Sequence, residues 1–258
     1  MEVAYTMSRF PKLTETFVLY EILALESQGV EVEIYPLLRE RQPVEHPEAE
    51  RLTRRAHYHP FVSLPILRAN LHYLLRKPGA YLGVLTEVLV GTCKSRNFFV
   101  GALGVFPKSV RCAWEMERAG VDHLHAHFAT HPALAALVVH RLTGIPFSFT
   151  AHGSDLHVDR TMLDRKVAAS RFTVTVSAFN REVIVRECGE WARDKVRIVR
   201  CGVDPDVFRP RALRSHAGDP VWILCVASYE EVKGHRYLIE ACRLLKERGV
   251  RFACHLVG

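Results

Sequence analysis

From Val121 to Gly202 the sequence alternates strand-like and helix-like stretches without interruption. A short apolar stretch, "VDHLHAHF", is followed by a helix-patterned one, "HPALAALVVHRLTG". Then come "IPFSFTAHG", "TMLDRKVAAS", "RFTVTVS", "AFNREVIVRECG" and "KVRIVRCG". Strands separated by helices of this length cannot pair as hairpins, so the pattern predicts a parallel sheet with crossover helices. The N-terminus begins the same way. "VAYTM" reads as a first strand, "ETFVLYEILALESQG" as a helix with Thr14 as its N-cap, and "VEVEIYPLL" as a second strand. Residues 39–60 read as a polar loop. Residues 61–119 read as two or three helices broken at Pro65, Pro78 and Pro107.

The alternation stops in "VDPDVFRPRALRSHAGDP" and restarts as strand "VWILCVAS", helix "HRYLIEACRLLKERG" and strand "RFACHLVG". The expected organisation is therefore a Rossmann-like first domain over 1–205, a linker over 206–220, and the beginning of a second domain over 221–258. A lone β-α-β of that length cannot cover its own sheet, so the second domain is expected to be incomplete. In such folds ligands bind beyond the carboxyl ends of the strands.

Composition narrows the class. The chain is 48% hydrophobic, enough for a real core. No apolar run reaches the about 18 residues of a transmembrane helix, and "MEVAYTMSRF" lacks the features of a secretory signal. Seven widely spaced cysteines without a C-x-x-C pair argue against a disulfide framework and a zinc ribbon, and most read as small core residues of a reducing, cytoplasmic compartment. Of the net charge of +7, the whole excess falls between Arg51 and Arg118, with eleven basic against three acidic residues. That suggests an anionic ligand or surface. No nucleic-acid recognition motif accompanies it.

Four stretches carry candidate chemistry. "HLHAHFATH" places His123, His125 and His127 on one face of a strand. With His152, Asp155 and His157 they could ligate a metal; alternatively His127 and His152 close adjacent strands and line a metal-free cleft, with His123 and His125 as packing residues. "FTAHGSDLH" runs a strand into His152, with Gly153 allowing a turn or close approach and Ser154 or Asp155 able to cap a helix. "SRFPKLTETF" lacks the dinucleotide fingerprint but could bring Lys12 and the amides of Thr14 to Thr16 to an anion. "SYEEVKGHRYLIEA" sets Lys233 and Gly234 before a helix, where a lysine and free amides can neutralise a diphosphate.

In order and spacing these stretches resemble glycosyltransferase family 4, retaining enzymes of GT-B fold, and within it the branch that builds colanic acid and other exopolysaccharides. "SRFPKLTETF" is similar to that branch's "FPxxSETF" opening, with Thr14 in place of the serine. "HLHAHFA" with "FTAHGSDL" is similar to its central pair, "VRIVRCGVDPDVFRP" to its hinge, and "VASYEEVKGHRYLIEA" to the start of its nucleotide-sugar domain. The resemblance covers most of the chain outside about residues 40–118.

The resemblance implies roles. His152 is the expected catalytic residue, beside the transferred sugar. Lys12, Thr14, Glu15, His127 and Asp155 fall on the acceptor side and cleft. Lys233, Gly234 and Ser228 fall at the donor diphosphate, Ser228 standing where many relatives have an arginine. The family's paired-glutamate segment is expected beyond Gly258. The implied reaction is retaining hexose transfer from a nucleotide diphosphate sugar to a glycan or lipid-linked acceptor, with no bound metal or other cofactor. The basic segment 51–118 and "LPILRANLHYLLRK", with Leu64, Leu67, Leu71 and Leu74/Leu75 on one helical side, imply either peripheral contact with the anionic inner face of the cytoplasmic membrane or a helical cap packed on the sheet. Two other readings remain at this stage, a metal-dependent hydrolase built on the histidines and a non-catalytic glycan- or partner-binding module.

Overall fold

The computed structural model describes residues 1–41, 46–206, 208–209 and 220–258, together with all their side chains except that of Ser154. Two compact units divide the chain, Met1–Gly202 and Val203–Gly258. The linker expected over 206–220 lies mostly outside the described residues. In order, the first unit comprises β1 (Glu2–Thr6), β2 (Arg9–Phe10), α1 (Thr16–Ser27), β3 (Glu31–Ile34), β4 (Leu38–Arg39), α2 (Pro47–Arg55), α3 (Leu64–Arg76), α4 (Pro78–Thr92) and α5 (Arg96–Ala119). It continues through β5 (His123–His127), α6 (His131–Thr143), β6 (Phe147–Ala151), α7 (Gly153–Val158), α8 (Leu163–Ala169), β7 (Phe172–Thr175), α9 (Ala178–Cys188) and β8 (Val196–Ile198). The second unit comprises β9 (Val221–Val226), α10 (His235–Glu247) and β10 (Phe252–Val257), with β9 and β10 parallel.

Six strands form one sheet in the order β3-β1-β5-β6-β7-β8, every pair parallel. The chain leaves β1 outward to β3 and then returns to the other side of β1 to lay down β5. The strand order therefore reverses between β1 and β5, and a crevice opens at their carboxyl ends, Thr6 and His127. α1 and α2 cover one face, where Val3, Val32 and Ile34 meet Val18, Leu19, Ile22 and Leu52. The opposite face carries the larger core, in which Leu124, Ala126, Phe147 and Phe149 pack among the helices from α3 to α9. α6 is buried almost all round, which explains why "ALAALVV" shows little polarity.

Three expectations need correction. The stretch 39–60 contains α2, whose Pro47 sits in the first turn with Glu48 and Glu50 and whose last turn carries Arg54 and Arg55. Those charges complement the helix dipole, and only Ala49 and Leu52 are buried, so hydrophobic periodicity gave no warning. Pro107 does not break a helix. It lies inside the 24-residue α5, and the carbonyl it leaves unbonded belongs to Leu103, on a residue half exposed to water. Pro78 does mark a break, between α3 and α4, and Pro65 stands in the first turn of α3. Lastly, of the seven cysteines only Cys112 is a buried core residue; all seven are free thiols.

α3 resolves a question the sequence left open. Its buried residues are Ile66, Ala69 and Tyr73, and the leucines Leu64, Leu67, Leu71, Leu74 and Leu75 face outward. The Tyr73 hydroxyl donates to Glu117 at 2.7 Å, and Asn70 donates to the Pro107 carbonyl at 3.1 Å, fixing α3 on α5. Among the described residues no helix is long and apolar enough to cross a membrane.

The two leucine environments give a direct test. Leu134→Ala on α6 empties a fully buried site and should cost about 2–5 kcal/mol, whereas Leu71→Ala should stay within about 0.5 kcal/mol, both read from urea denaturation midpoints.

Candidate functional site

β5 and β6 each alternate polar and apolar residues. In register, His125 stands opposite Ser148 and His127 opposite Thr150, with Tyr5 of β1 beside His125. All lie on the α1 face of the sheet, so this face is polar at the centre. The imidazoles are matched by hydroxyls. Ser148 Oγ lies 2.7 Å from His123 Nε2 and 2.8 Å from His125 Nδ1, and Thr150 Oγ1 lies 3.0 Å from His125 Nε2. Both nitrogens of the buried His125 are thereby used. Burial, with His127 nearby, pushes its pKa down to about 3.

His127 is different. It is fully buried, and neither ring nitrogen has a hydrogen-bond partner. Its Nε2 lies 3.5 Å from Glu21 Oε2, inside ion-pair range but outside hydrogen-bond geometry. Glu21 projects from α1 and also accepts a 2.7 Å hydrogen bond from the Tyr5 hydroxyl. Burial works to raise the Glu21 carboxyl, but His127, His125 and Tyr5 outweigh it and hold the pKa down at about 2. The same burial and the Glu21 charge push the Tyr5 phenol far above its ordinary value.

His152 follows β6 directly. Its ring packs 4.6 Å from Phe17, 5.1 Å from Phe128 and 6.0 Å from His127, centroid to centroid. Burial and neighbouring His127 lower its pKa to about 4, so it is neutral near pH 7. A capping box joins its ring to the Asp155 backbone amide and the Asp155 carboxylate to its own amide. An imidazole nitrogen that accepts an amide proton carries none, so the ring proton resides on the other nitrogen. Nε2 is buried with no hydrogen-bond partner. The assignment makes Nε2–H a fixed, unused donor at the carboxyl edge of β6.

Asp155, expected to face the cleft, is instead buried in the backbone scaffold. Its Oδ2 accepts from Ala129 N at 2.7 Å and from His152 N at 3.0 Å, tying the loop after β5 to the loop after β6. Lys166 of α8 donates to the Ala129 carbonyl at 2.5 Å and the Thr161 carbonyl at 2.7 Å. Burial of this lysine lowers its pKa to about 7. Ala129 is thus gripped at both its amide and its carbonyl, next to Phe128, which holds a left-handed φ of 79°.

The first loop is only partly as expected. α1 starts at Thr16 with Glu15 at the N-cap and no side-chain cap, so exposed Thr14 does not cap it. Lys12 Nζ pairs with Glu15 Oε1 at 2.5 Å, and the Glu15 amide bonds the Lys12 carbonyl. The charge of Lys12 is therefore already met by a carboxylate. Lys12 and Glu15 line a crevice of about 10 Å³ with Arg9, Phe10 and His46. In the second unit Lys233 ends a short 3-10 turn, Gly234 takes φ 73° before α10, and Ser228 Oγ donates to Glu230 at 3.3 Å. A cavity of about 300 Å³ there is lined by Tyr229, Gly234, His235 and Tyr237.

Glu21, Tyr5, Phe17, Phe128 and Lys166 escaped the sequence reading. Glu21 carried one usable signal. It neighbours the buried Ile22 on α1, where an acid must find a partner. As a metal cluster, Glu21, His125 and His127 bring ligand atoms within 4.8 Å of one another, but a metal at His125 would have to displace Ser148 or Thr150. The donor set fits a hydroxyl-satisfied polar layer better than a metal centre.

The comparisons with known proteins agree with this geometry. The family model for Glycosyltransferase Family 4 matches residues 14–207. WcaL of Salmonella typhimurium, named for a colanic acid biosynthesis glycosyltransferase, is 28% identical over 277 residues, covering all of this chain and 64% of its own. AmsK of Erwinia amylovora, named as an amylovoran biosynthesis glycosyltransferase, is 24% identical over 279 residues, with the same coverage. The chain thus spans 64% of the length of these relatives. Among solved structures, a glycosyltransferase from Rickettsia africae superposes with a TM-score of 0.58 at 15% identity, over all of this chain and 60% of that one. HepE of Anabaena, solved with UDP-glucose, superposes at 0.53 and 10% identity, over all of this chain and 69% of that one. These last two are likenesses of fold and bear out the expected α/β, GT-B class. With the family model covering most of the chain, the protein belongs to Glycosyltransferase Family 4.

Proposed function

We propose that the protein serves exopolysaccharide biosynthesis as a retaining hexosyltransferase, moving a sugar from a nucleotide diphosphate donor to a glycan or lipid-linked acceptor. The observation that carries this reading is His152. It is a neutral imidazole in a fixed tautomer, with an unpartnered Nε2–H at the strand edge where α/β sheets bind ligands. Such a donor suits a sugar hydroxyl, which needs a directed hydrogen bond and no charge. In the reaction the bond from the anomeric carbon to the diphosphate oxygen breaks, and a bond to the acceptor oxygen forms on the same face. The acceptor proton passes to the leaving diphosphate, so no protein base is required. Negative charge grows on the diphosphate, and the proposed partners for it are Lys233 and the amides at the start of α10, which Gly234 leaves uncrowded. Ser228 is proposed to contact the same group. His127 and Glu21 are proposed to orient acceptor hydroxyls. The polar layer beneath them supports a metal-free route, and transfer is expected to survive chelator.

Lys233→Ala should weaken binding of a nucleoside diphosphate by about tenfold, read by calorimetry with UDP and GDP in turn. In transfer assays with a nucleotide-sugar panel, His152→Ala should lower kcat by about a hundredfold or more with the circular dichroism spectrum unchanged. An unaltered kcat would sink the assignment.

Asp155 acts on His152 through the backbone. Asp155→Asn keeps the shape but removes the charge that holds two amides, so kcat should fall while nucleotide affinity, measured on the other unit, stays the same.

The sign of the pH effect is fixed by the lowered histidine pKa values. Unfolded histidines take up protons below about pH 6.5, whereas native His125 and His152 resist down to about 3 and 4. Their contribution to stability is complete above the unfolded value and is lost as pH falls. Roughly one unit below it, buried His125 alone should cost about 1–2 kcal/mol, visible as a lower urea midpoint.

A further inference from the structure

We infer that Lys166 is a positioning residue for the site: its buried ammonium braces two strained turns at once, and through one of them it sets Phe128 against His152. Among the described residues, Phe128 and Met162 are the two non-glycine residues with a left-handed backbone, at φ 79° and 58°. Such a residue persists only where its neighbours hold it. The first turn follows β5, and the second joins α7 to α8. They are far apart in sequence, yet each offers the carbonyl of an adjoining residue to the same nitrogen. Lys166 Nζ donates to the Ala129 carbonyl, next to Phe128, at 2.5 Å. It also donates to the Thr161 carbonyl, next to Met162, at 2.7 Å.

The second turn is the anchored one. Asp159 accepts from the Thr161 amide and from the Ser95 hydroxyl, both at 2.8 Å, which ties the turn to the start of α5. Met162 lies against Gly91 of α4, where a Cβ would come 2.5 Å from its Sδ. The first turn borders the site. The Ala129 amide shares Asp155 Oδ2 with the His152 amide, and the Phe128 ring lies 5.1 Å from the His152 ring. Lys166 carries the anchorage of one turn across to the other. Burying the ammonium sacrifices its hydration, which two carbonyls and the face of Phe98, 5.1 Å from Nζ, return in part. Lys166 is wholly buried, so it acts through Ala129 and not on substrate. Without the brace, the Ala129 carbonyl loses its partner, Phe128 relaxes toward ordinary φ, and its ring leaves His152.

His152 reports this directly. In the full chain, with histidine ring carbons labelled with 13C, its signal is assigned using His152→Ala. Lys166→Met keeps the length of the side chain and removes the donor. The His152 signal should shift as the Phe128 ring moves, while that of His255, in the other unit, stays in place. In transfer assays kcat should fall about tenfold or more, with affinity for UDP unchanged. The kcat arm rests on the transfer reaction proposed above; the His152 signal does not, so the two readings fail separately. A folded Lys166→Met chain with the His152 signal unmoved would overturn the inference, even if its urea midpoint fell, because Lys166 would then only stabilise. So would an unchanged kcat in an enzyme that His152→Ala disables. If Lys166→Met does not fold, the substitution is placed on Phe128→Gly, since glycine holds φ 79° without strain. That background should tolerate the loss of the brace and fold. Failure to fold there as well would overturn the inference.

Discussion

One central strand of this sheet, β5, buries imidazoles, and every buried imidazole needs something to bond. A buried polar group without a partner costs about 1–3 kcal/mol, so the polar face of β5 and β6 is tolerable only if the strands supply their own partners. They do so in register. Ser148 serves His123 and His125, and Thr150 serves the second nitrogen of His125. The supply of hydroxyls then ends. Thr150 stands opposite His127, yet its hydroxyl is already engaged by His125, two residues back on β5. The unpartnered nitrogens of His127 and His152 at the strand ends are the consequence of a ladder that runs one rung short. The shortage falls where β1 and β5 diverge, the place at which a parallel sheet receives its ligand.

Holding those end groups still is a separate problem, because His127 is the last residue of β5 and His152 already lies beyond the end of β6. One carboxylate oxygen of Asp155 takes two amides from two different loops, and one buried ammonium, Lys166, takes the carbonyl on the far side of the same residue. A left-handed Phe128 costs roughly 1–2 kcal/mol relative to ordinary backbone, and persists only when its neighbours over-determine it. Asp155 and Lys166 provide that determination. They touch the loops and leave the cleft to the aromatic and imidazole rings.

What the sequence disclosed follows from the physics of each pattern. The alternation of strands and helices from Val121 onward was legible, because periodicity reports burial directly. The placement of His123, His125 and His127 on one face follows from the two-residue period of a strand. α2 was illegible, since it is stabilised by its termini and buries only Ala49 and Leu52. Asp155 could be placed near the site but not oriented, because a helix cap and a cleft carboxylate share one sequence signature. Glu21 required knowing which face of α1 meets the sheet. The same limit applied to α3, where Ile66 and Tyr73 compete with the leucines for the inward position and only packing decides between two apolar faces.

On the proposed reading, neutral and charged groups divide the work according to what each end of the donor needs. A sugar hydroxyl gains from a directed donor and loses nothing if that donor is uncharged. A leaving diphosphate gains from positive charge that is already in place. His152 is suited to the first task because burial has removed its charge and the capping box has fixed its proton, so no reorganisation is required when substrate arrives. Lys233 is suited to the second because it stands exposed beside the start of α10, where its ammonium and the helix amides act with the same sign. Exchanging the two would fail at both ends. A buried lysine in the position of His152 would tend to lose its proton, as Lys166 shows with its pKa near 7, and an exposed imidazole in the position of Lys233 would be mostly uncharged near neutral pH.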